Sequence, residues 1–123
     1  MSQRLYERAV AVAEKAYAPY SSFLVGAAVL SRDGRVFEGV NVENAAYPLG
    51  VCAERTTFSS AVVQGYRPGD FIVAAITASP CGGCRQWLAE MQVERVIFRN
   101  GGRLVEMTVS ELLPEQFDAG DLA

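Results

Sequence analysis

The stretch Ser79-Pro80-Cys81-Gly82-Gly83-Cys84-Arg85-Gln86 constrains this chain more than any other. Ser79-Pro80 predicts a helix start, with Ser as the cap and Pro in the first turn. Cys81 and Cys84 then lie three apart on one helix face, where two thiolates reach a single metal ion. The only other cysteine, Cys52, opens Cys52-Ala53-Glu54-Arg55. Three thiolates fill three of the four tetrahedral positions of zinc, and an open fourth position marks a catalytic site. Water in that position is activated as a nucleophile near neutral pH, and Glu54 is a carboxylate close by in sequence to move its protons. Two plainer readings compete. A lone C-x-x-C is equally the signature of a thioredoxin-like redox pair, but that reading leaves Cys52 and Glu54 without a task. A structural zinc knot needs a fourth ligand, usually Cys or His, and the chain has no histidine. With Cys-Ala-Glu included, catalytic zinc leads.

The lack of histidine also removes Ser-His and Cys-His nucleophilic catalysis. Acid–base work falls to carboxylates, with a metal to make the nucleophile. At 123 residues the chain predicts one domain spanning 1–123. Its hydrophobic content of 50% is high for so small a monomer and points to apolar surface closing against another subunit. A net charge of -3 argues against a nucleic-acid partner, which leaves a basic footprint. Three cysteines form no closed disulfide set, and C-x-x-C suits a reducing compartment. Met1-Ser2-Gln3-Arg4 leads into no signal-type apolar core. No apolar run approaches the ~20 residues of a membrane span. A soluble cytoplasmic protein is expected.

Taken in order, residues 3–17 predict a helix, with Leu5, Ala9, Val12, Ala13 and Ala16 on one stripe. Ala18-Pro19 stops it. Residues 23–30 read as a strand covered on both faces. Asp33-Gly34 turns the chain into an antiparallel strand over 35–42. Alternation puts Asn41 and Glu43 on one side, an amide and a carboxylate suited to sugar hydroxyls or simply two solvated turn residues. A second helix is expected over 51–64, closed by Gly65. Residues i and i+2 do not share a helix face, so periodicity alone does not bring Glu54 to the metal. A buried strand over 71–78, a third helix over 81–91 and strands over 95–99 and 103–107 follow. Thr108-Val109-Ser110-Glu111 is a capping box for a short helix. Strand–helix–strand units over 35–78 and 71–99 predict parallel neighbours, and Asn100-Gly101-Gly102 makes the last strand antiparallel. The expected fold is α/β: a mixed five-stranded sheet between helices in a three-layer α/β/α arrangement.

Cys52-Ala53-Glu54 with Pro80-Cys81-x-x-Cys84, Asn41-Val42-Glu43-Asn44-Ala45-Ala46-Tyr47-Pro48, and Tyr17-Ala18-Pro19-Tyr20-Ser21-Ser22-Phe23 together carry a resemblance. The chain resembles the cytidine deaminases of the small, zinc-dependent, homotetrameric type, from about Tyr17 to Phe117. The resemblance implies that Cys52, Cys81 and Cys84 hold Zn2+ and that Glu54 curls past the helix start to shuttle protons. It implies that Asn41 and Glu43 hold the ribose hydroxyl, that Phe23 packs beside the base, and that backbone groups around Ala53 hold the base carbonyl. It puts Tyr47 at a subunit contact near the neighbouring site and stacks Phe117 on the pyrimidine in a neighbour's site. The implied reaction is hydrolysis of cytidine or deoxycytidine to uridine or deoxyuridine and ammonia, in pyrimidine salvage. Deamination of another base or modified nucleoside, and a non-catalytic zinc or redox module, are the alternatives. An antiparallel last strand resembles the free-nucleoside branch of the deaminases. One departure is visible: the family carries several more residues before Ser-Pro-Cys-Gly, which leaves substrate access and breadth open.

Three thiolates leave the zinc formally at about minus one, which opposes activating water. Helix starts at both cysteine segments and Arg55, which directly follows Cys-Ala-Glu, are the expected counterweights. Gln86 is expected to order the metal site from behind the ligands.

Overall fold

The computed structural model describes residues 2–123; Met1, where the leader reading begins, lies outside them. The elements are α1 (Ser2–Ala13), β1 (Gly26–Ser31), β2 (Val36–Val40), α2 (Ala53–Val63), β3 (Phe71–Ile76), α3 (Gly82–Met91), β4 (Arg95–Asn100), β5 (Arg103–Met107) and α4 (Val109–Leu112). The strands form one mixed sheet in the order β2-β1-β3-β4-β5. Within this sheet β3 and β4 pair in parallel, β1 pairs antiparallel with both β2 and β3, and β5 antiparallel with β4.

That order corrects one expectation. β2 and β3 run the same way but are not neighbours, because β1 lies between them. The strand–helix–strand pattern fixes relative direction and leaves the insertion of an earlier strand unspecified.

Alternation along the strands feeds two cores. On one face Ala27 and Val29 of β1, Ala74 and Ile76 of β3, and Val96 and Phe98 of β4 pack under α2, α3 and α4. On the other face Ala28, Ala75 and Ile97 pack under Leu5, Tyr6 and Ala9 of α1. Both faces of β1 and β3 are thus covered, as their unbroken apolar runs require. Phe58 of α2 meets Phe71 of β3 edge to face, at 5.2 Å between ring centres, with both side chains fully buried. Fully burying such side chains is worth about 1.5–3 kcal/mol each, so α2 is clamped to the sheet near its middle. Gly39 admits the close approach of α2 to β2: a methyl group there meets the Thr56 and Thr57 hydroxyls. Thr56 Oγ1 lies 2.8 Å from the Val40 carbonyl, tying the first turns of α2 to the end of β2.

Helix α1 ends at Ala13, short of the predicted boundary at 17. The chain leaves the helix so that Tyr17 can pair beside β2. The Tyr17 N–H donates to the Asn41 carbonyl at 3.1 Å and the Glu43 N–H to the Tyr17 carbonyl at 2.9 Å. Tertiary pairing overrides the apolar stripe here. The predicted capping box at Thr108 and Glu111 is present. The cap predicted at Ser79 is shifted: Cys81 occupies the N-cap of α3 and makes no side-chain cap bond. Ser79-Pro80 is instead a short lead-in, held by Arg85, which donates to the Pro80 carbonyl and the Leu112 carbonyl, each at 2.9 Å. Among the described residues, no helix is long and apolar enough to cross a membrane.

Candidate active site

The N-terminal ends of α2 and α3 bring the three cysteines together. Cys52 is the N-cap of α2, Cys81 the N-cap of α3, and Cys84 lies one turn into α3. Their three sulfur atoms lie within 4.8 Å of one another. Val51, just before Cys52, exchanges backbone bonds with Val42 at 3.0 and 2.9 Å. This antiparallel bridge holds the Asn41–Glu43 segment beside the thiols.

A cavity of about 320 Å³ opens over the cluster, in the size range of small-molecule sites. Its deep end holds Cys84, fully buried, and Glu54, only 4% exposed. Cys52, Ala53 and Cys81 complete that end. Its wall includes Asn41, Glu43 and Ile76, and its exposed rim Phe23 and Tyr47, which are 61% and 73% accessible. Every predicted metal, proton-shuttle and substrate residue except Phe117 therefore lines one cavity. Ala78 and Ser79, just after β3, also line it.

Burial is the leading cause that raises the Glu54 pKa, opposed by bonds from its own N–H and from Cys84 and by the Arg55 charge. A carboxyl so placed accepts and releases a proton more readily near neutral pH than an exposed one. Burial also pushes the Cys84 thiol far up, with the Glu54 charge adding to it. At Cys84 and Cys52 burial prevails over the helix ends and Arg55, whereas at Cys81 burial is outweighed by bonds with Cys84 and Cys52, which hold that thiol below its ordinary value. A divalent cation among the sulfurs reverses that balance, since a coordinating thiol is deprotonated outright.

Arg55 lies against the cluster, where the Cys84 sulfur is the leading cause raising its pKa. Its Nε is buried and has no hydrogen-bond partner among the described residues. Metal-bound thiolates are far better acceptors for that donor than thiols, so the donor set fits zinc. Gly83 makes room for it. A methyl group at Gly83 runs into the Arg55 guanidinium, whereas Gly82 has nothing within 4 Å. Gly83→Ala is thus expected to displace Arg55, weaken zinc retention and slow turnover, while Gly82→Ala leaves both near wild type. Zinc retention against a chelator series, measured for both variants, checks this; equal behaviour removes Arg55 from the metal site.

Gln86, expected to order the metal site, does not line the cavity. Its Nε2 donates to the Phe117 carbonyl at 2.6 Å, tying the C-terminal tail to α3. Phe117 itself is 58% exposed and does not line the cavity of its own chain. Gly83, Arg85 and Ser21 escaped the sequence reading. The second glycine of Cys-Gly-Gly-Cys was the only available signal for the first, and it gains meaning only once Arg55 is seen across it.

The decisive comparison is with protein families. The cytidine and deoxycytidylate deaminase zinc-binding region matches residues 1–100. The chain belongs to this deaminase family. A cytidine deaminase of Halalkalibacterium halodurans is 43% identical over 98% of this chain and 96% of its own length. One of Sporosarcina psychrophila is 44% identical over 89% and 86%. The crystal structure of a cytidine deaminase from Burkholderia pseudomallei superposes with a TM-score of 0.88 at 44% identity, covering 95% of this chain and 99% of that one. The three-cysteine cluster accords with the family's zinc-binding region and with zinc as the cofactor.

Proposed function

We propose that this chain is a zinc-dependent cytidine deaminase, hydrolysing cytidine and deoxycytidine to uridine and deoxyuridine with release of ammonia, in pyrimidine salvage. The observation that carries the reading is a single cavity joining three convergent thiols, a buried carboxyl and the Asn41–Glu43 pair. Cys52, Cys81 and Cys84 hold the metal, which supplies an activated water when bound. Glu54 takes a proton from the attacking water and delivers it to ring N3 as C4 becomes tetrahedral. The water's second proton, carried on the new C4 hydroxyl, then passes to the exocyclic amine; the C4–N bond breaks, ammonia leaves and the C4 carbonyl of uridine remains. Arg55 draws charge from the sulfurs. Asn41 and Glu43 hold a ribose hydroxyl, Phe23 packs beside the base, and backbone groups at Ala53 hold the base carbonyl. The net charge of -3 favours a small nucleoside over a nucleic acid. Purified protein incubated with cytidine should yield uridine and ammonia in equal amounts. Conversion of other amino-heterocycles but not cytidine would overturn the substrate assignment.

We further propose one cytoplasmic domain over 1–123 that assembles as a homotetramer with sites shared between subunits. Exposed apolar side chains concentrate around the cavity: Tyr17, Tyr20, Phe23 and Leu24 in one segment, Tyr47, Leu49 and Val51 in another. Such a patch is suited to a second subunit. Phe117 projects from the tail, free to complete a neighbour's site. Phe117→Ala and Glu54→Ala homo-oligomers should each be poorly active. Co-expressed, they should form some sites with Glu54 from one protomer and Phe117 from its neighbour. Activity above the weighted sum of the parents supports the shared site; activity equal to that sum, in verified mixed oligomers, refutes it.

A further inference from the structure

Two carboxylates line the cavity, the buried Glu54 and the more accessible Glu43, and the Glu43 carboxylate is already held at three points. Oε1 accepts from the Tyr20 N–H at 3.0 Å and from the Ser21 N–H at 3.1 Å. Oε2 accepts from the Ser21 hydroxyl. That hydroxyl in turn accepts from the Phe23 N–H at 3.0 Å. Between them Ser22 holds a left-handed backbone at φ 59°, a conformation that non-glycine residues keep where the surroundings enforce it. Asn41 clasps the same segment, accepting from the Val25 N–H at 2.8 Å and donating to the Phe23 carbonyl at 2.9 Å. The pair expected to meet the sugar is therefore also what shapes residues 20–25, and Ser21 is the hydroxyl that joins the two tasks.

A carboxylate offers about four acceptor positions. Three on Glu43 are filled from Tyr20 and Ser21, which leaves one on Oε2; Glu43 lines the cavity over the cysteines, and Ser21 lines only the adjoining hollow that shares Glu43, Tyr47 and Gly50 with it. The Ser21 bond is also the leading reason the Glu43 carboxyl stays below its ordinary value of 4.5, so the remaining acceptor stays ionised.

We propose that Ser21 is a positioning residue: its hydroxyl aims the one free acceptor of Glu43 at the substrate's sugar and, through the Phe23 N–H, sets the rim residue beside the base. The inference rests on the reading that Glu43 holds a ribose hydroxyl. Ser21 acts through Glu43, and recognition of one sugar hydroxyl depends on it.

The test pairs protein variants with substrate deletions, as in a double-mutant cycle. kcat and KM are measured for wild type, Glu43→Gln, Ser21→Ala and Ser21→Thr on cytidine and its 2′-, 3′- and 5′-deoxy analogues. Glu43→Gln should lose activity on cytidine but lose little more on one analogue, the one lacking the hydroxyl Glu43 holds. Ser21→Ala should lower kcat/KM for cytidine about tenfold, the scale of a hydrogen bond to a charged group. That loss should fall mainly on KM and should largely vanish on the same analogue. Ser21→Thr, which keeps the hydroxyl, should recover most of the activity. An equal loss on all four substrates overturns the proposal, because a merely structural serine weakens every substrate alike. Analogue dependence for Glu43→Gln without it for Ser21→Ala defeats the Ser21 role alone. No analogue dependence for Glu43→Gln defeats the ribose reading and this inference with it.

Discussion

Glu54→Gln is expected to keep its fold and its zinc and to lose at least ~10²-fold in turnover, the usual scale for a general acid–base group. Glu54 is 4% exposed at the deep end of the cavity, beside the cysteine cluster. Glutamine matches its shape and its hydrogen-bonding reach but accepts no proton. Burial raises the glutamate's pKa, which brings its two protonation states closer in energy and suits a group that must both take and give. Turnover, zinc content and melting temperature measured on the same preparation separate a lost proton shuttle from a damaged fold. Near-normal turnover would remove Glu54 from the mechanism.

Cys81→Ser is expected to lose zinc and, with it, essentially all turnover. Cys81 is the exposed member of the cluster and Cys84 the buried one. Replacing Cys81 therefore opens no cavity in the core and tests the ligand rather than the packing. A metal bound only by the folded state stabilises it by mass action. Chelation should consequently lower the melting temperature of wild type and leave that of Cys81→Ser unchanged. Elemental analysis and a thermal shift with and without chelator check both halves. A variant that retains zinc and activity would move the metal elsewhere.

The metal cluster was legible because its signal is local and chemical. Cys81 and Cys84 announce themselves by spacing on one helix, and the absence of histidine narrows what the third cysteine can do. Glu54 was not legible from periodicity, since i and i+2 diverge on a helix. It reaches the cluster because Cys52 is the N-cap of α2, with a β-region backbone, and the first turn begins only at Ala53. The strand directions followed from turns and crossovers, but the insertion of β1 between β2 and β3 is a long-range choice. It is set by burying both faces of an apolar strand, and no short stretch records it. The end of α1 was misplaced for the same reason: Tyr17 pairs with Asn41 and Glu43, more than twenty residues away. The supporting contacts were the least visible. Arg55 across Gly83, Ser21 under Glu43 and Gln86 on the Phe117 carbonyl each join residues far apart in sequence through side-chain geometry alone.

Turnover is expected to depend on metal held by Cys52, Cys81 and Cys84. The most direct test is a zinc titration of metal-stripped protein, following conversion of cytidine to uridine. Activity should rise in proportion to added zinc and break at about one ion per chain, the stoichiometry of a single three-thiolate site. Metal-stripped protein that deaminates cytidine at full rate, with no response to zinc, would contradict it.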